Sequence, residues 1–318
     1  MLRVSVFKHQ SELTDQWLRQ KVALGADAID FGGDTDMPGV ADQGYPDLDE
    51  VRALRKRVRS FGIDINRVTL PTLTQTYIDE RVGAEDELDN AAKALEVYGQ
   101  VRFPIARQRV IGDVFPHMME RYCTNHRGGY SARAETLVQG PHDIPSRAEL
   151  GRWWDRFCHA FERLTPIAEE YDIKLAVHPS DTPNVDTPFG GIGFHRIIDA
   201  FPSPNVGYVY CIGTRSEAGG SSLVIDEINN YGRKGKIFML HMRNVRGSLA
   251  TASGFEETLL DDGDLNMARI LRELRNVGFS GYINPDHIPH LPGDNETLDV
   301  GWAYSIGYLK ALYAAVVA

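Results

Sequence analysis

Short apolar runs alternate along this chain with longer segments whose apolar positions recur every three or four residues. The short runs read as strands: LRVSVFK (2–8), DAIDFG (27–32), DINRVTL (64–70), QVRFPI (100–105), KLAVHPS (174–180), NVGYVYCIG (205–213), KIFMLHMRN (236–244) and GYINPDH (281–287). The segments of helical period are 11–23, 47–61, 84–97, 147–171, 193–201, 221–232, 264–277 and 300–316. Ser11, with Asp15 shortly after, marks the start of the first helix. Pro145-Ser146, with Glu149 three residues beyond the serine, marks the start of the fourth. Gly232 and Gly278 are the expected C-caps of two others.

Eight strand-then-helix units with strands apolar on both faces predict a closed parallel sheet, a (β/α)8 TIM barrel filling residues 1–318 as a single domain. An open doubly wound sheet is the alternative. It would carry a glycine-rich turn after its first strand, and FKHQSELT contains no glycine. One connection, 106–146 after the fourth strand, is far longer than a strand–helix loop needs. Its HRGGYSARAE stretch (126–135) is basic and reads as flexible. It predicts a lid over the site or a subunit contact, with an ornamental surface insertion as the alternative.

Composition narrows the partners. Of 318 residues, 42% are hydrophobic and 25% charged, enough for a substantial core. The net charge of −10 argues against nucleic acid or an anionic membrane as a partner. The N-terminus lacks a signal layout, and no stretch reads as a membrane span. Three cysteines, Cys123, Cys158 and Cys211, do not make a disulfide framework, so a cytoplasmic protein with free thiols is expected.

Candidate chemistry follows from the fold, because such barrels act at the C-terminal ends of their strands. The predicted fifth strand ends in His178, followed by Pro179, Ser180 and Asp181. The sixth ends in Cys211, the seventh in His241 with Arg243 and Asn244 beyond, and the eighth in Asp286 and His287. Four consecutive strands thus deliver His178, Cys211, His241 and Asp286 to one rim. Two imidazoles, a thiolate and a carboxylate suit a divalent transition ion better than magnesium or calcium. Arg243, two residues past His241, is placed to bind a substrate carboxylate, or else to form a salt bridge within the rim. His287 is the candidate general acid or base, with a surface or supporting role as the alternative. Cys123 and Cys158 read as ordinary thiols, and His195 as part of a helix start.

Five segments carry a resemblance: AVHPSDTP (176–183), CIG (211–213), HMRNV (241–245), DDGDLNM (261–267) and NPDH (284–287). In this order and spacing they resemble the mannonate dehydratase family of xylose isomerase-like TIM barrels, over roughly residues 165–316. The resemblance implies metal-dependent dehydration of D-mannonate, or a related aldonate, to 2-keto-3-deoxy-D-gluconate in hexuronate breakdown. It implies manganese or ferrous iron held by His178, Cys211, His241 and Asp286, with His287 as an acid/base. The substrate would be a small sugar acid, met by Arg243, Asn244 and Trp302. By analogy with such barrels, a homo-dimer or higher homo-oligomer is expected.

The chain also departs from the family pattern. A family tyrosine that serves as a second acid/base is Trp302 here, in Gly301-Trp302, and Tyr304 is the nearest substitute. The FEETLLDDGD stretch (255–264) has Glu256 and Glu257 but no histidine, and HPSDTP and NPDHIPH differ from the family's HPDDPP and RPDHG. Two other readings remain: a metal-dependent isomerase or epimerase of the same barrel superfamily, or a catalytically impaired sugar-acid binder.

Overall fold

The computed structural model describes residues 2–110, 119–138, 146–179 and 191–317. Twelve strands are found among them: β1 Arg3–Phe7, β2 Ala28–Asp30, β3 Asp64–Thr69, β4 Ile105–Arg107, β5 Met119–Asn125, β6 Ser131–Leu137, β7 Lys174–Val177, β8 Val206–Cys211, β9 Ile237–His241, β10 Asn244–Arg246, β11 Gly254–Thr258 and β12 Tyr282–Asn284. Eight of them close into an all-parallel barrel in the order β1-β12-β9-β8-β7-β4-β3-β2. These are the eight predicted strands. In that ring β3 stands across from β9, and β4 across from β12.

The helices wrap the barrel where the periodicity places them: Asp15–Ala23, Leu48–Arg59, Ala84–Val101, Arg147–Glu170, Gly191–Ala200, Ile212–Arg233, Met267–Asn276 and Asp299–Val317. Each lays one stripe on the sheet. In Leu48–Arg59 the buried positions are Val51, Leu54 and Val58, a spacing of three and four residues. Ser146 and Glu149 form a reciprocal capping box; Pro145 lies outside the described residues. The first helix is capped by Thr14, which accepts from the Trp17 backbone N–H, and Ser11 falls in a preceding single turn. Gly278 has the expected left-handed φ of +77°, whereas Gly232 stays helical and Gly235 turns the chain.

Three expectations shift. The fourth strand begins at Ile105, because the preceding helix runs on through Val101 before Arg102 caps it in the left-handed region. The predicted helix 221–232 is the second half of a longer one that starts directly after Cys211 and breaks at Gly220 (φ 74°, ψ −170°). The segment 299–317 is by length and apolarity able to cross a membrane, contrary to the sequence reading. In the structure it is the last barrel helix, with Trp302, Ile306 and Leu309 buried.

The long connection is not a plain loop. β5 and β6 form an antiparallel hairpin that extends through β11 to β10, giving a four-stranded sheet in the order β10-β11-β6-β5. HRGGYSARAE, expected to be flexible, supplies the hairpin turn and most of β6. Residues 111–118 and 139–145 lie outside the described residues.

Several buried polar groups in and around the barrel are paired. Asp30, fully buried, accepts from Asn66 Nδ2 at 2.8 Å, Asn284 Nδ2 at 2.5 Å and the Ser5 hydroxyl. Arg215 and Glu227, 3% and 1% exposed, form a bidentate pair at 2.6 and 2.8 Å, and the Tyr210 hydroxyl donates to the same carboxylate. Replacing Glu227 with alanine strands a buried guanidinium and a buried hydroxyl. A loss of about 3–5 kcal/mol is expected. An unfolding free energy, from urea titration, that falls by less than a quarter of that would show that the pair contributes little.

Candidate metal centre and active site

The strand ends bring the expected donors together. His178 follows β7, Cys211 ends β8 and His241 ends β9, and their ligand atoms all lie within 4.8 Å of one another. His178 Nε2 is 3.1 Å from His241 Nδ1. His178 Nδ1–H donates to the Pro179 carbonyl at 2.7 Å, which leaves the Nε2 lone pair facing the cluster. The Asp286 carboxylate closes the group, with Oδ1 3.3 Å from His241 Nδ1 and Oδ2 3.9 Å from Cys211 Sγ.

Local sequence explains these placements. Cys211 is both the last strand residue and the N-cap of the following helix, where its sulfur accepts from the Thr214 N–H and hydroxyl at 3.4 and 3.3 Å. Asp286 sits in the left-handed region at φ +63°, held there by its own N–H donating to Asn284 Oδ1 at 2.8 Å. Asn284 in turn is anchored on Asp30.

Electrostatics suits a cation. Burial pushes the Cys211 thiol up to about 11 and the His241 imidazole down to about 3, so both are neutral without an ion. Burial would raise Asp286, but His241, His287 and Arg243 outweigh it and hold the carboxyl well below its usual range. The imidazoles of His178 and His241 and the Cys211 thiol, which meets the Thr214 N–H, with the Asp286 carboxylate beside them, fit a divalent transition ion. Its binding would release the thiol proton.

His287, with a side chain 45% exposed, stands at the mouth; its Nδ1 is 2.6 Å from Glu257 Oε1. Burial pulls this imidazole down, but Asp286 and Glu257 outweigh it and raise it above its ordinary value. Glu257 is held ionised against its own burial by Arg243, His287 and Arg133.

Of the other expected substrate residues, Arg243 lines the cavity over the cluster, whereas Asn244, Trp302 and Tyr304 do not. Arg243 is 2% exposed and committed to protein acceptors. Its Nη1 donates to Glu257 at 2.9 Å and to Glu217, its Nη2 to Thr214 Oγ1 at 2.9 Å, and its Nε lies 3.3 Å from Asp286. It is the rim salt bridge rather than a carboxylate clamp. Gly213 makes room for it, since a Cβ there would lie 2.3 Å from Arg243 Cγ. Asn244 is buried and pins the 259–265 turn, donating to the Leu260 and Leu265 carbonyls. Trp302 is a core residue beside Lys21. Tyr304 donates to Asp261 at 2.5 Å, stacks on Tyr308 and does not line the pocket. Ser180, Asp181, Thr182 and Pro183 lie outside the described residues. His195 is in the middle of its helix and meets the Tyr231 hydroxyl.

A cavity of about 350 Å³ opens over the cluster. Besides His178, His241, Asp286 and His287, it is lined by Arg67, Arg107, Arg109 and Arg133. The sequence reading missed all four arginines. The signal was there: Arg67 sits inside a predicted buried strand, DINRVT. Arg133 comes from the hairpin and reaches Glu217 at 3.2 Å and Glu257 at 3.0 Å. A larger cavity, about 740 Å³, lies at the other end of the strands, lined by Arg3, Lys174 and Lys234 and remote from the donor cluster.

Fold and rim together define a xylose isomerase-like TIM barrel with a metal-ligand type donor cluster at the C-terminal ends of its strands. Residues 137–318 match the family model described as D-mannonate dehydratase (UxuA), and the chain belongs to that family. The matched span begins earlier than the resemblance over 165–316 indicated. Among curated relatives, mannonate dehydratase 2 of Halalkalibacterium halodurans is 27% identical over 173 residues, covering 51% of this chain and 49% of that protein. Mannonate dehydratase of Thermotoga maritima is 29% identical over 143 residues, covering 42% of this chain and 38% of that protein. The chain thus spans about half or less of the curated relatives it matches. Among solved structures, mannonate dehydratase from Streptococcus suis serotype 2 superposes with a TM-score of 0.82 at 19% identity, over 99% of this chain and 93% of that one. A xylose isomerase-like TIM barrel protein from Mycobacterium smegmatis in complex with magnesium gives 0.63 at 14% identity, over 100% and 98%.

Proposed function

We propose that this protein is a metal-dependent sugar-acid dehydratase, acting on D-mannonate or a related aldonate to give 2-keto-3-deoxy-D-gluconate and water. The observation that carries the reading is the convergence of His178, Cys211, His241 and Asp286 beside a half-exposed imidazole, His287, that Glu257 holds. The ion the cluster would hold, manganese or ferrous iron, supplies a positive charge against the enolate-like charge that develops when the C2 proton leaves. The chain supplies the rest. His178 and His241 keep their ring nitrogens oriented on the site, through Pro179 in the case of His178. Glu257 fixes the His287 ring and favours its protonated form. His287 accepts the C2 proton and, as the imidazolium that Glu257 steadies, returns it to the C3 hydroxyl as that bond breaks, so that water departs and the enol left behind tautomerises to the 2-keto acid.

The isomerase reading is less well supported. Such sites use glutamates as metal ligands, and here Glu217 and Glu257 bind Arg243 and Arg133 away from the donor cluster. The test is an assay of manganese-loaded protein against D-mannonate and a panel of aldonates. A 2-keto-3-deoxy acid is the expected product. An isomerised sugar would replace this reading with the isomerase, and bound metal without turnover of any aldonate would replace it with a sugar-acid binder.

A further inference from the structure

The cavity of about 740 Å³ lies at the opposite end of the strands from the donor cluster. The first residues of five barrel strands meet there: Arg3 of β1, Ile105 of β4, Lys174 of β7, Ile237 of β9 and Tyr282 of β12. The helix Ile212–Arg233 adds its last residue, Arg233, and its cap, Lys234. Four cations thus share one cavity, and no carboxylate is among the residues that line it. In a chain of net charge −10 this is not an overflow of basic residues.

The protein answers these charges weakly. Arg3 donates to the Ser280 carbonyl and lies 4.4 Å over the Tyr282 ring. Arg233 meets the Asn229 amide oxygen at 3.3 Å, and Lys174 meets the Pro204 carbonyl and Asn205 Oδ1 at 3.3 and 3.1 Å. Lys174 and Lys234 have carboxylates outside the cavity, Asp172 at 3.7 Å and Asp199 at 3.8 Å, but these are 88% and 77% exposed. Ion pairs so open to water contribute little. The carbonyl ends of the helices Ile212–Arg233 and Met267–Asn276 add about half a negative charge each. Most of the positive charge is left over. Burial lowers the Lys236 amine below its ordinary value, and Lys174 and Lys234 push it further the same way.

Behind the cations stand Phe238, Phe279 and Tyr282. A cleft with one sign of charge and apolar walls concentrates its field on whatever enters. No histidine, cysteine or carboxylate lines it, so its chemistry is that of binding. Arginine forks and lysine point charges both take phosphate. One singly charged anion would leave most of the cations unanswered.

We propose that this cavity is a binding site for a small molecule carrying two or more phosphate groups, separate from the reaction site. The proposal goes beyond the dehydratase reading and does not depend on it.

The test is titration calorimetry of the metal-free full chain, at constant ionic strength, with orthophosphate, tripolyphosphate, a hexose bisphosphate and citrate. Tripolyphosphate or the bisphosphate should bind tighter than orthophosphate by about tenfold or more, the gain of one further charge-assisted contact. Whichever of the two binds tighter shows whether the phosphates are adjacent or spaced by a sugar. The double variant Arg233→Gln with Lys234→Gln should cancel the gain, and both positions are exposed, so the fold is kept. Arg109→Ala, at the cavity over the donor cluster, should leave the gain unchanged. Equal binding of orthophosphate and both larger phosphates, or a gain that survives the double variant, would overturn the site. Citrate bound as tightly as the better phosphate would overturn the ligand class. A gain lost in Arg109→Ala would move the anion to the reaction site and end the proposal.

Discussion

Replacing Cys211 with serine should lower affinity for a divalent transition ion by more than about 100-fold while leaving the fold unchanged. The magnitude exceeds that for losing a supporting group around a metal ligand, which is about 10- to 100-fold. The substitution separates two roles of one side chain. As the cap of the helix Ile212–Arg233, the sulfur accepts from the Thr214 N–H and hydroxyl, and a serine oxygen does this at least as well. As a metal ligand it must become a thiolate, and the thiol stands at about 11, pushed up by burial. Only a bound cation makes that ionisation favourable, and a serine hydroxyl, far less acidic, does not follow. Chelator competition measures the affinity, and thermal unfolding of the metal-free protein checks the cap. Undiminished affinity in the serine variant would remove Cys211 from the donor set. Unchanged affinity with a lower melting temperature would make it a cap and nothing more.

His287→Ala should retain metal and lose turnover, by about 10²- to 10⁴-fold, the range for a positioned acid or base. The geometry separates this residue from its neighbour. Asp286 faces His241 and Cys211, whereas the His287 ring is turned to Glu257, with its Nε2 3.8 Å from Asp286. Its half-exposed position makes a folding defect from truncation small. Metal content and turnover of the aldonate identified by the panel assay are the two readouts. Normal turnover would strip His287 of its role. Loss of metal and activity together would show that it acts only by supporting Asp286.

Much of the barrel could be read from the chain because each of its strands is a local apolar run followed by its own helix. The hairpin could not. β5 is almost entirely exposed and β11 is only five residues long; they join one sheet through β6, from segments far apart in sequence. The donor cluster was legible because strand ends in a barrel converge by construction. The fate of Arg243 was not. Its partners are Glu217 in the preceding helix and Glu257 in β11, and nothing in HMRNV announces them. Trp302 and Asn244 misled for a related reason. Motif position located them near the rim, but packing against Lys21 and the 259–265 turn decided where their side chains went.

The seam between hairpin and barrel also has a consequence for the order in which the molecule assembles. Arg133 is synthesised long before two of the carboxylates it meets, Glu217 and Glu257, and the strand that carries Glu257 is also the one that pairs with β6. Until that late strand arrives, β6 lacks the edge it docks on, and Arg133 has Glu135 of its own strand but not Glu257. Contacts of such long sequence separation form slowly. The wall of the reaction chamber is therefore among the later parts of the chain to set, completed only shortly before β12 pairs with β1 and closes the ring.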